Sequence, residues 1–214
     1  MSDRSLDDAR VADAEPVHAQ QRRKLIGAIG DLCLEQGFAN VRIGDITSRA
    51  TVAKRTFYVH FADKEDAFLA AYEEAEQLVL RTLALAAAAQ ETPYERIQHS
   101  LVALLELMAE HPSLPHLLLI EAWTAGPRAS VRRTETVERI ADLYLALHEV
   151  VSDRYAPPAP ITRTRALAAV GAVEIPIATT MLREGPSALP ALATELSRAV
   201  FSLVHGPTLG AETA

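Results

Sequence analysis

Cysteine is almost missing from this chain: one residue, Cys33, in 214. No intrachain disulfide can form, so packing must hold the fold. Residues 1–19 lack the apolar stretch of a signal peptide and are polar and acidic. Long hydrophobic runs are scarce too. The longest weakly charged stretch, Ala166 to Leu182, is 17 residues and contains Glu174 and Pro176; a bilayer span needs about 20 mostly apolar residues. These absences predict a soluble, cytoplasmic protein with no membrane partner. No run of alternating β-branched residues reads as a strand, and no internal repeat is visible. A glycine-rich phosphate loop is absent. His111 and His116 stand five apart around two prolines with no clustered Cys or Asp, so no metal set is expected. Ser113 and His116 lack an orienting acid at meaningful spacing. The sequence therefore points to no catalytic residue and no cofactor.

What is present is helical punctuation and ample apolar material, 49% of the chain. The expected fold class is all-α with about nine helices. A tail at 1–17 holds too few apolar groups to bury and is expected to be disordered. A first helix is predicted over 18–36, with Leu25, Ile29, Leu32 and Cys33 on one face and Gly37 ending it. Short helices follow over 43–50 and 53–60. Asp63 reads as the N-cap of a long helix reaching about residue 90. Thr92-Pro93-Tyr94-Glu95 combines a capping box with proline at the first helical position. His111-Pro112 closes that helix, and a short one is predicted over 114–124. A polar-faced helix over 130–155, a stiff connector over 156–160, and two helices over 162–184 and 188–205 complete the chain. The organisation is a tail (1–17), a three-helix N-terminal domain (18–64) and a larger helical domain (65–214).

Net charge taken alone misleads. The total is −7, yet residues 20–64 carry eight bases against four acids, a net of +4. Affinity for nucleic acid depends on the local field near the phosphates. Within residues 41–64, two short helices stand a few residues apart, and the second bears bases. Major-groove insertion requires such an arrangement, because the groove admits one helix whose side chains reach base edges. Phe57 and Phe61, four apart, face inward and leave Lys54, Arg55, Thr56, Tyr58 and His60 outward.

Phe57-Tyr58-Val59-His60-Phe61-Ala62-Asp63-Lys64-Glu65, with Gly37-Phe38 and Asp45-Ile46 upstream, resembles the N-terminal signature of the TetR family of transcriptional regulators. The match covers about residues 21–70. The resemblance implies that Lys54, Arg55, Thr56, Tyr58 and His60 face DNA, that Lys64 sits against a phosphate, and that Arg42 and Arg49 flank the second helix. Two departures stand out. The family usually has glycine in the turn and serine capping the recognition helix; this chain has Thr51 and Ala53. An alanine N-cap costs about 1 kcal/mol against serine.

The resemblance also implies a mostly apolar ligand cavity in the second domain. Candidates to line it are Met108, His111, His116, Glu121, Trp123, Tyr144, His148, Glu174 and Met181. Trp123 either stacks on a flat ligand or anchors a core or interface. Glu174, one acid in a nearly uncharged helix, needs a partner; that partner is either across a dimer or on a ligand. Pro176 is expected to kink the same helix. The last two helices, about 162–205, suit a four-helix bundle between two chains, with Leu196 on the shared face. The predicted function is a homodimeric repressor released from a near-palindromic double-stranded DNA operator by a small-molecule effector. The alternative is an all-α binding protein or enzyme with a vestigial helix-turn-helix.

Overall fold

Leu25, Ile29 and Cys33, each four residues after the last, are fully buried on one face of α1 (Arg4–Gln36). That stripe is the foundation for everything around it. In the computed structural model the backbone is described over residues 4–152 and 161–205, and side chains over 16–147 and 161–205. All described regular structure is helical. α1 begins at Arg4 and not at His18, with Pro16 inside it. Residues expected to be a disordered tail are thus part of a helix; Leu6, Ala9, Arg10, Ala12 and Ala14 favour helix without needing burial.

Gly37, at φ 76°, ends α1 with its N–H donated to the Cys33 carbonyl at 2.9 Å. A 3-10 turn (Phe38–Asn40) leads to α2 (Ile43–Ala50) and α3 (Lys54–His60). Asp63 caps α4 (Lys64–Ala88), its carboxylate accepting the Asp66 N–H at 2.7 Å. Thr92 and Glu95 close a reciprocal capping box on α5 (Pro93–Glu110).

The segment predicted as one short helix is three unlike turns: α6 (Ser113–Pro115), a π-helical turn (His116–Ile120) and a 3-10 turn (Glu121–Trp123). Pro112 and Pro115 have no N–H to donate, so a regular ladder cannot be completed there. α7 (Pro127–Ser152) starts three residues earlier than expected. α8 (Arg163–Glu184) is capped by Thr162 and runs through Pro176 without ending. The predicted last helix divides into a 3-10 stretch (Pro186–Leu192), containing Pro190, and α9 (Ala193–His205). The connector expected over 156–160 lies outside the described residues.

One core cluster runs from Leu25 in α1 through Phe57, Phe68 and Leu105 to Val204 in α9. The two domains therefore share a continuous interior. Leu196, expected on a dimer face, is 6% exposed within this core. The outward apolar side chains of the last helices are Ile175, Leu182 and Leu203, at 70%, 68% and 40% exposure. Among the described residues, α8 is the one helix long and apolar enough to cross a membrane by length and composition. It is held in the bundle by an ion pair between Glu174 and Arg133 of α7.

Candidate nucleic-acid interface and ligand cavity

α3 is fixed by its apolar side. Phe57 is fully buried, and Phe61, just past its end, is 3% exposed. The two rings lie 5.6 Å apart. The opposite side presents Lys54 and Arg55 to solvent, with Tyr58 at 54% exposure and Thr56 half-buried. Tyr58 stands edge-on to Phe57 at 5.5 Å, which holds the phenol at the helix surface. Arg42, at the start of α2, is exposed, and its backbone N–H is accepted by Asp45 at 2.9 Å.

The turn between α2 and α3 explains both departures from the family pattern. Thr51 occupies the position of the usual glycine at φ 56° and ψ 47°, left-handed backbone that a β-branched residue rarely adopts. The Val52 N–H donates to the Thr47 carbonyl at 3.0 Å and holds it there. Ala53 is the N-cap of α3 and supplies no side-chain acceptor.

Three residues expected on DNA make contacts within the chain. Lys64 donates from Nζ to the Phe38 and Val41 carbonyls at 2.7 and 2.9 Å, and lies 4.1 Å from the Phe38 ring centroid. It pins the loop before α2. Arg49 makes a two-point pair with Glu35 of α1 at 2.9 and 2.6 Å, so its guanidinium braces α2 on α1. His60 turns toward α1, edge-on to His18 at 5.6 Å, with Nε2 buried and unpartnered. Burial and the neighbouring His18 and Arg22 push its imidazole below the ordinary value of 6.5.

The two domains are clamped at α4. Arg128 of α7 binds Asp63 at 2.8 Å and Glu65 at 3.0 Å, while Glu65 also accepts the Arg128 N–H at 2.8 Å. Gly126 permits that approach: at φ 144°, a Cβ there would fall 2.3 Å from a Glu65 oxygen. Glu121 accepts the Phe38 N–H at 3.0 Å and contacts His116 Nε2 at 3.0 Å. His116 and Glu121, both ligand candidates, are thus a joint between the domains. The wide π turn aims Glu121 at that joint, which local sequence could not reveal.

Farther along α4 is a cavity of about 140 Å³ among α4, α5, α7 and α8. Its walls are mostly apolar, including Leu101, Leu104, Ile140 and Val173. Along α5 it runs from Pro93 to Met108, roughly 22 Å at 1.5 Å per residue. Of the candidates, Met108, Tyr144 and Glu174 line it. Met181 is buried in the core off the wall, His111 is exposed, and Trp123 is 58% exposed beneath the Arg133 guanidinium at 5.6 Å. The His148 side chain lies outside the described residues. Glu174 pairs within the chain, on Arg133 Nη2. Burial raises its carboxyl above the usual range, and Arg133 opposes that shift. Burial likewise raises the Tyr144 and Tyr72 phenols. Sequence reasoning missed Tyr72, Arg96, Arg133 and Thr136 on this wall. The 60-residue separation between Glu76 and Thr136, which bond at 2.8 Å, shows why: no local pattern connects them.

The described residues hold no group of three His, Cys, Asp or Glu suited to a metal. Cys33 is buried, its thiol pushed up to about 12.

No curated protein matches the chain by sequence. Residues 25–71 match the model for bacterial regulatory proteins of the tetR family. Among solved structures, the fatty acid degradation regulator FadR from Bacillus halodurans superposes with a TM-score of 0.73 at 15% identity, over 84% of this chain and 94% of that one. FadR from Bacillus subtilis, solved in complex with stearoyl-CoA, gives 0.71 at 15% identity, over 86% and 98%. A TetR family transcription regulator from Marinobacter aquaeolei gives 0.67 at 16% identity, over 89% and 98%. Residues 25–71 thus carry the helix-turn-helix of the tetR family of bacterial regulatory proteins, and the chain as a whole shares the helical fold of these solved structures.

Proposed function

We propose that this regulator is a homodimeric, cytoplasmic repressor of a near-palindromic operator, released by an elongated, largely apolar effector. One observation carries the reading: α4 leaves the recognition helix at Lys64 and forms the cavity wall with Tyr72, Leu83 and Ala87. A single rigid element thus touches both sites. Lys54, Arg55 and Tyr58 read bases and phosphates, Thr56 and Arg42 support them, and none of their charges is engaged by a carboxylate among the described residues. The cavity volume is below the 300–1,000 Å³ usual for ligand sites. An effector therefore widens it, displaces α4 and, through Arg128 and Lys64, moves the helix-turn-helix. The stearoyl-CoA held by the Bacillus subtilis neighbour supports an elongated apolar guest.

Two chains pair through the outward faces of α8 and α9, at Ile175, Thr179, Leu182 and Leu203. Pairing places the α3 helices one DNA turn apart, about 34–36 Å. Selection from random duplex DNA at two salt concentrations tests the reading. Enrichment of a palindrome, with affinity falling steeply in salt, is the expected result; a folded dimer that enriches no site overturns it. Leu182→Asp should yield monomers on size-exclusion chromatography with light scattering, and a persistent dimer would place the interface elsewhere.

A further inference from the structure

The cavity is mostly apolar, and four of its polar side chains cluster: Tyr72 of α4, Arg133 and Thr136 of α7, and Glu174 of α8. Two donors there lack acceptors. Arg133 is 3% exposed, and while Nη2 donates to Glu174, its buried Nε has no hydrogen-bond partner. Tyr72 is fully buried and its hydroxyl has no partner in good hydrogen-bond geometry, although the Thr136 hydroxyl beside it partly offsets the upward push of burial on the phenol. Thr136, beside it, bonds Glu76 at 2.8 Å and the Arg132 carbonyl at 3.0 Å. Leaving a buried donor unmet costs free energy, so orphans on a cavity wall mark where a ligand atom would be held.

Charge decides which atom. Behind the two donors, Glu76 binds Arg132 at 2.7 Å and Arg139 at 2.6 Å, and Arg139 binds Glu135 at 2.9 Å. With the Glu174–Arg133 pair, three carboxylates face three guanidiniums, and Glu73 lies 3.5 Å from Arg132 as a further anion. No positive charge is left over at this cluster for an anionic ligand, whose carboxylate would have to displace Glu174 and leave it unpaired in the interior. The remaining cation on the wall, Arg96, donates to the Gln90 and Leu147 carbonyls at 3.0 and 3.2 Å. Leu147 lies 14 residues beyond Arg133 on α7, about 21 Å away.

We propose that Tyr72 and Arg133 form the seat of a neutral hydrogen-bond acceptor, the carbonyl oxygen of a ketone, ester, amide or thioester, on an otherwise apolar ligand, and that this seat rejects a free carboxylate. The carbonyl oxygen has two lone pairs, enough for the Arg133 Nε–H and the Tyr72 O–H. This inference rests on the effector reading above and gives the effector its chemistry.

Three probes of equal chain length test it: 2-heptanone, heptanoate and heptane. Binding to the full-length protein is followed by emission of Trp123, the only tryptophan, which stacks with Arg133. The ketone should bind most tightly. Tyr72→Phe should weaken the ketone about tenfold, leave heptane unchanged, and not lower the melting midpoint of the free protein, because it removes an unpaired group. Arg133→Lys, which keeps the charge and loses Nε, should weaken the ketone selectively. Heptanoate binding as tightly as the ketone, no ketone binding at all, or a ketone affinity indifferent to both variants overturns the proposal. Displacement of operator DNA is measured in parallel. Ketone-selective binding without DNA release would refute the effector reading and leave the seat standing; DNA release by all three probes alike would do the reverse.

Discussion

Arginine is used in opposite ways at the two ends of α4. On the proposed recognition surface, Arg42 and Arg55, with Lys54, stand in water with no carboxylate partner among the described residues. Around the cavity, buried Arg133 is locked to Glu174, and buried Glu76 holds the partly exposed Arg132 and Arg139. Exposed cations cost little to fold and are available to phosphates. Buried pairs carry a desolvation penalty but fix geometry, and removing one partner strands the other. Net charge therefore says little about either site; pairing says a great deal.

The largest effect should come from the exposed end. Lys54→Ala with Arg55→Ala should reduce operator affinity by on the order of a hundredfold or more, with the melting midpoint unchanged. Fluorescence anisotropy on the selected operator checks this, and retained affinity would mean that α3 does not read DNA. At the buried end, Arg133→Met should destabilise the fold by about 3 kcal/mol by leaving Glu174 unpaired. Adding Glu174→Met should restore most of that. Arg49→Ala, which breaks an exposed pair with Glu35, should cost less than about 1 kcal/mol. Urea denaturation of the four proteins measures the contrast, and equal losses from Arg133 and Arg49 would erase it.

The turn offers a smaller effect of opposite sign. Thr51→Gly relieves a left-handed β-branched residue, and Ala53→Ser supplies the missing cap of α3. Each should stabilise by about 1 kcal/mol, read as a higher melting midpoint.

His60 gives the smallest. Its folded pKa lies below the ordinary 6.5, so the unfolded chain binds more protons between those two values, and stability rises with pH across that window. His60→Gln should flatten the slope of midpoint against pH in the window just below 6.5. An unchanged slope would assign it to other groups.

Several elements were legible before any coordinates. Thr92-Pro93-Tyr94-Glu95 starts α5 as expected, because a capping box is a contact across three residues. Phe57 and Phe61 are core because their spacing puts both on one side of α3. Lys64 shows where such reasoning stops. A lysine at a helix start beside a DNA-reading helix suggested a phosphate, yet its ammonium serves two carbonyls from residues 26 and 23 positions earlier. His116 and Glu121 looked like ligand groups and are a joint onto Phe38.

By itself the sequence determined most of the helices, the caps at Asp63 and Thr92, the inward side of α3 and the locally positive segment, all of which depend on neighbours within about two turns of chain. The tertiary structure alone decided which charges are paired. Arg133 meets Glu174 across 41 residues, and Glu76 meets Arg139 across 63. Whether a guanidinium is free for a ligand depends on what packing brings within hydrogen-bond reach, and a linear pattern does not contain that distance.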